Sequence, residues 1–139
     1  MKCEFRWVSP ADLVSVWPTI KPGLETTAQK APGGWIPEDV YMEIKSGAAV
    51  LHTVIVESYY RGFIVSKSID TFEGRKLLLW ICHGDASGDV LNDNLDQLQE
   101  WAKNIGAVKL QFQSPRKGWE RVGAKLGFVP TMVVYECEV

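Results

Sequence analysis

Residues 114–130 read SPRKGWERVGAKLGFVP, a helix-sized segment between two apolar runs, VKLQFQ (108–113) and TMVVYECEV (131–139). Ser114 suits an N-cap, and Pro115 suits the first helical position, where its missing N–H is not needed. Gly127 stands where a left-handed C-terminal residue is wanted. Trp119, Val122 and Leu126 fall on one side of that helix, and the flanking runs are rich in β-formers. The expected order is therefore strand, short helix, terminal strand, with Phe128-Val129 as an added short strand before the last.

Upstream, Leu91, Leu95, Leu98, Trp101, Ala102 and Ile105 form an apolar stripe over 90–105 that stops at Gly106, which predicts the longest helix of the chain. Before it come three β-rich runs, AAVLHTVIVES (48–58), RGFIVSKSID (61–70) and KLLLWICH (76–83), separated by the turns Ser-Tyr-Tyr and TFEGR. Short turns between consecutive strands imply an antiparallel meander. IPEDVYMEIKSG reads as a small helix, with Pro37 in its first turn, Glu38 and Asp39 at its positive end, and Gly47 as its stop. ADLVSVWPTIKPGL has helical spacing at Leu13, Val14, Trp17 and Ile20, but Pro18 and Pro22 predict a short or broken helix, followed by a loop, ETTAQKAPGGW. CEFRWV (3–8) reads as a first strand. The order is β-α-α-β-β-β-α-β-α-β, an α/β fold with a mixed, mostly antiparallel sheet in one domain spanning 1–139.

A chain of 139 residues with 46% hydrophobic and 23% charged residues can bury a core without disulfides or metals. A net charge of −2 gives no electrostatic reason for nucleic-acid binding, although Arg116, Lys117, Arg121 and Lys125 form a small basic group. No apolar run approaches the roughly eighteen residues of a membrane span, and the start MKCEFRWVSP lacks a signal-peptide core, so a cytoplasmic protein is expected. Cys3, Cys82 and Cys137 lie in strand-like runs and are expected as buried, reduced thiols. With only two histidines, His52 and His83, a metal site is not expected.

The order of elements, together with LQEWAKNIGAVKLQFQ (98–113) and AKLGF (124–128), resembles the GNAT N-acyltransferase superfamily. The first phrase is similar to that family's third helix and fifth strand, and the second to the close of its fourth helix. The resemblance implies that the fourth and fifth strands part, and that the pantetheine arm of acetyl-CoA or CoA lies in the wedge between KLLLWICH and VKLQFQ. It assigns Trp80, Ile81, Cys82, His83, Gly84 and Gln113 to the wedge, and Ser87 and Gly88 to the phosphate-holding turn before the third helix.

Three departures from the family pattern follow. In the turn HGDASGDVLND, Ala86, Asp89 and Leu91 stand where a basic and two small residues belong; Gly84 and Gly88 offer a shifted register. Asp85 and Asp89 bring negative charge toward a diphosphate, or else cap the helix that follows. Gly123 occupies the place of the family's thiolate-protonating tyrosine, leaving Tyr135 as a substitute. Arg116 and Lys117 at a helix start suggest an anion site, with Arg116 contacting a coenzyme phosphate, or a solvated basic turn.

His52, Glu57 and His83 are candidate bases for an amine, with His83 preferred. The nearest subgroup resembled is small phage-encoded GNAT-like proteins, for which two roles follow: an N-acyltransferase acting on a host target from the host cytoplasm, or a catalytically degenerate fold that binds a host protein. For the second role Trp35 and Tyr60 are the candidate anchors, or else they cap the core edge. The resemblance also implies a homodimer paired through the last strands, with MVVYECEV as a suitable edge, or a simply covered edge.

Overall fold

The computed structural model describes residues 3–30, 33–84, 94–114 and 119–139. Strand β1 (Cys3–Val8) leads through a 3-10 turn (Pro10–Asp12) into α1 (Leu13–Lys30), followed by α2 (Pro37–Lys45). The meander β2 (Val50–Val56), β3 (Tyr59–Thr71) and β4 (Gly74–Gly84) comes next, then α3 (Leu95–Asn104), β5 (Ala107–Gln111) and α4 (Trp119–Lys125).

The expected broken helix is continuous. Helix α1 runs for 18 residues through Pro18 and Pro22 and takes in most of the segment read as a loop, which makes it, and not α3, the longest helix among the described residues. Both prolines lie on its exposed side, where water can serve the carbonyls that lose an N–H partner, while Leu13, Ile20 and Leu24 are fully buried on the other. The Thr26 and Thr27 hydroxyls donate back to the carbonyls of Pro22 and Gly23 at 3.0 and 2.8 Å, so both are satisfied within the helix. Burial of one face outweighs the local penalty.

Helix α2 forms as its sequence predicts. Pro37 opens it, the Ile36 N–H donates to the Asp39 carboxylate at 2.9 Å, and Gly47 follows its end at φ +86°.

The five strands lie in the order β1-β2-β3-β4-β5, antiparallel except for the parallel pair β4–β5. The β2–β3 turn is Glu57-Ser58, both at positive φ, so Tyr59 and Tyr60 already belong to β3 and not to the turn. Helices α1 and α2 cover one face over Leu51, Phe63, Val65 and Ile81. Helix α3 covers the other over Val54, Ile64, Leu77 and Leu79, with Phe112, Trp119, Leu126 and Phe128 packed at its margin.

The terminal strand is absent. Residues 128–139 form no helix or strand, and Met132–Tyr135 are 72–90% exposed, because β-forming side chains make a strand only against a neighbour that supplies the ladder. Cys137 is consequently exposed and not buried, whereas Cys82 packs against the α3-side core, where burial pushes its thiol up to about 12. No helix among the described residues is long and apolar enough to cross a membrane.

Candidate active site

The two parallel strands part. Pairing of β4 with β5 runs from Arg75↔Ala107 to Leu78↔Gln111, yet β4 continues to Gly84 beside β3 alone. Leu79–Gly84 therefore present one edge of backbone amides with no strand partner among the described residues. Two local features explain the parting. The Phe112 ring, just past β5, packs on Trp119 and Phe128 at 4.9 Å each and ties the chain to α4. On the opposite wall Val65 pairs with Ile81 and Ser66 with Leu79, so Trp80 is an extra residue, a bulge that bends β4 where pairing with β5 ends.

Trp80 also forms part of an open cleft of about 500 Å³ with Trp35, Asp39, Met42, Glu43 and Ser46. The two indoles meet edge to face at 6.2 Å. Lys67, on β3, places its Nζ 3.8 Å from the Trp80 ring centroid and 2.8 Å from the Glu43 carboxylate. An ammonium of the chain itself thus sits between an aromatic face and a carboxylate of two cleft residues.

The expected site residues divide. Trp80 and Trp35 share the cleft, Ile81 is buried beneath α1, and Cys82 faces the α3 side. His83 turns to α1, its ring 5.5 Å from that of Phe63 and against Gly23. Gly84 stands opposite Gly62, where an added Cβ would collide with the His83 carbonyl. Gln113 is exposed just beyond β5. Ser87, Gly88 and Arg116 lie outside the described residues, as do Asp85, Ala86, Asp89, Leu91 and Lys117.

Glu57 is not brought to His83. It sits in the β2–β3 turn and lines a shallow groove with Glu4 and Arg6, with β3 between it and β4. His52 is buried on the α3 face, stacked on Phe5 at 4.0 Å and edge-on to Trp101 at 5.2 Å; burial lowers its pKa to about 4. Tyr135 is exposed in the strandless tail, and Tyr60 packs against the α1-side core away from the residues lining the cleft.

Gly123 lies near the end of α4, where its carbonyl helps to close the helix. The Phe128 N–H donates to the Gly123 carbonyl at 2.9 Å and the Gly127 N–H to that of Ala124 at 3.2 Å, closing α4 with Gly127 at φ +89°. A Cβ at Gly123 would meet Phe128 and Phe112 at the ordinary contact distances of 3.5 and 3.7 Å.

Sequence reasoning missed Asp39, Glu43 and Lys67. A signal existed for the first two, because carboxylates four apart share one helix face just after Trp35.

A mixed sheet whose parallel pair parts at a bulge, with two helices over one face and one long helix over the other, is the GNAT acetyltransferase fold. Solved structures share it along their whole length. A ribosomal-protein-alanine N-acetyltransferase from Brucella melitensis superposes with a TM-score of 0.68 at 14% identity, over 99% of this chain and 98% of that one. A protein from Clostridium acetobutylicum described as a predicted acetyltransferase, solved with acetyl-CoA, gives 0.71 at 17% identity over 99% and 96%. Glucosamine-6-phosphate N-acetyltransferase from Arabidopsis thaliana gives 0.65 at 14% over 99% of each chain. No protein-family model matches the chain, and no curated protein is detectably similar to it in sequence.

Proposed function

We propose that the protein is an N-acyltransferase that uses acetyl-CoA or another acyl-CoA and acts on a cationic amine. The observation that carries this reading is the unpaired edge Leu79–Gly84, which opens beside the Trp35–Trp80 cleft. A pantetheine arm is a chain of amides, and unpaired strand amides are suited to hold it. Acyl-CoA, when bound, supplies an activated acyl carbon. The chain's own part is to bring an amine next to it and to aim β4 backbone N–H groups at the thioester oxygen. Asp39, the cleft carboxylate that Lys67 does not pair with, attracts the amine as its ammonium, and the Trp35 indole holds it. His83, three residues past Trp80, is assigned the proton that the amine loses.

Isothermal titration of acetyl-CoA, followed by an assay of thiol release with di- and polyamines, tests the reading. Micromolar binding and amine-dependent release of free thiol are expected, with KM for the amine rising about tenfold in Trp35→Ala, equivalent to one aromatic contact. Absence of binding at millimolar coenzyme overturns it.

A second reading, a non-catalytic fold binding a host protein through Trp35 and Tyr60, is supported by the sequence alone, by Asp85 and Asp89 in the segment that precedes α3 and by Gly123 in place of a tyrosine. Phage origin and a host-cytoplasmic target are finer forms of both readings and rest on the sequence resemblance. A host-protein pull-down lost in Trp35→Ala,Tyr60→Ala, from a chain that binds no coenzyme, would favour this second reading.

A further inference from the structure

Trp80 and Glu43 together offer an aromatic face and a carboxylate, the two groups that hold an ammonium, and the chain fills that place with its own Lys67. The bulge in β4 brings this about. Side chains alternate along a regular strand, so Trp80, next to Ile81, would turn to the α3 side. With one extra residue in β4 both pack on the α1–α2 side, and Lys67, opposite Leu78, lies against the Trp80 ring and reaches Glu43 on α2. The Lys67 and Glu43 side chains are 25% and 38% exposed, so this contact stands at the cleft surface, within reach of a small solute.

The other half of the cleft has no such internal cation. Asp39 accepts from the Ile36 N–H through one oxygen and forms no ion pair among the described residues, and Trp35 lines the cleft with it. The charged residues of the lining are Asp39 and Glu43, and Lys67 neutralises the second. One negative charge, that of Asp39, is therefore left for a ligand. Asp39 and Glu43 stand four apart on α2, which sets their side chains about 5–6 Å from each other at the helix surface, a span that 1,4-diaminobutane bridges.

We infer that Lys67 is a specificity-determining residue: it fills the Trp80–Glu43 half of the cleft as an internal ammonium, so the site engages one ammonium of an amine and gains nothing from a second. The inference rests on the amine-binding part of the proposed function and deepens it. Lys67 is tethered to β3, so it loses less freedom in taking that place than a free ammonium does. A second ammonium on a ligand held at Asp39 meets the Lys67 charge instead of an unpaired Glu43, and like charges repel. Removal of the lysine's charge turns the same geometry into a site for diamines, because Glu43 then stands without a cation beside an uncovered indole.

Titration of the isotopically labelled protein with 1-aminobutane and with 1,4-diaminobutane, followed through its indole N–H resonances by nuclear magnetic resonance, tests the inference. In wild type the two amines are expected to bind within about threefold of each other. In Lys67→Met the diamine should tighten about tenfold relative to the monoamine, the gain from one aromatic and carboxylate contact at a partly exposed site. Lys67→Gln should repeat that gain, Lys67→Arg, which keeps a cation, should restore the wild-type ratio, and Glu43→Gln added to Lys67→Met should remove the gain. A merely structural role for Lys67 would weaken both amines alike, so the ratio is the readout and not either affinity. A tenfold diamine preference already present in wild type overturns the inference, as does a ratio that stays unchanged in both neutral variants, or an absence of any amine effect on the indoles. A chain that binds no acetyl-CoA yet shows the switch in ratio overturns the proposed acyl transfer alone, whereas one that binds acetyl-CoA with an unmoved ratio overturns this inference alone.

Discussion

The two halves of β4 show how one strand serves both fold and chemistry. From Arg75 to Leu78 it is flanked by β3 on one side and β5 on the other, and Leu77 is buried on the α3 face. From Leu79 to Gly84 it keeps β3 and loses β5. The second half is not therefore loose. Ile81 is held beneath α1, Cys82 packs on the α3 side, and the row Trp7–His52–Ile64–Cys82 runs across the sheet at its level. A free strand edge persists because both faces are packed, and this leaves fixed amide groups available to a ligand.

If the packing against β3 is what fixes the parted half, crowding that contact should do the greatest damage. Gly62→Ala places a Cβ against the His83 carbonyl, a backbone atom that can move only by shifting β4 from β3. A loss of about 3 kcal/mol is expected in denaturant unfolding, at the upper end for overpacking. Coenzyme affinity should fall as well, even in conditions where the variant remains folded. A variant that unfolds more readily but binds normally would show that the parted half holds its shape without β3.

The buried imidazole gives the same region a dependence on acid. His52 titrates near 4 in the fold and near its ordinary value of 6.5 in the unfolded chain. Above 6.5 both forms are neutral and its contribution to stability is whole. As the pH falls below 6.5 the unfolded chain takes the proton first, and stability declines until the folded form also titrates near 4. The full loss is about 3 kcal/mol, from the size of the shift. Urea midpoints measured between pH 7 and 4 should drop over that window, and His52→Phe, which keeps a flat ring between Phe5 and Trp101, should remove this part of the slope. An unchanged slope in that variant would place the acid response elsewhere.

The strands of the meander, α2 and the parting of β4 from β5 were legible in the sequence, the last through the likeness of residues 98–113 and 124–128 to a known frame. Elements whose fate depends on distant contacts were not. The two prolines of α1 are a local penalty, and only the depth at which Leu13, Ile20 and Leu24 are buried overrules it. TMVVYECEV carries every local sign of a strand, but a strand is a relation between two segments, and the tail pairs with none of the five strands of this sheet. The candidate site divides in the same way. Trp35 and Trp80 stood out as residues, whereas Lys67 meets Glu43 across 24 positions of chain, a meeting that no spacing rule encodes.

The paired half of β4 offers the complementary and smallest test. Glu73, in the β3–β4 turn, accepts from Lys76 of β4 and Lys109 of β5, both at 3.0 Å, and so links the two strands at the end opposite the opening. Those hydrogen bonds, with the charges behind them, hold its carboxyl below the usual range. A carboxylate lowered in the fold contributes stability that is present at neutral pH and is lost as the pH falls through its folded value. The group is fully exposed, so solvent and salt screen the link. Glu73→Gln should therefore shift the melting temperature less than either change above, and the difference from wild type should vanish in high salt. Lys109→Met should do the same, with little further effect when the two are combined. If either variant instead weakens coenzyme binding at low salt, the paired half sets the angle at which the strands part, and the division of β4 into a structural and a functional half is not clean.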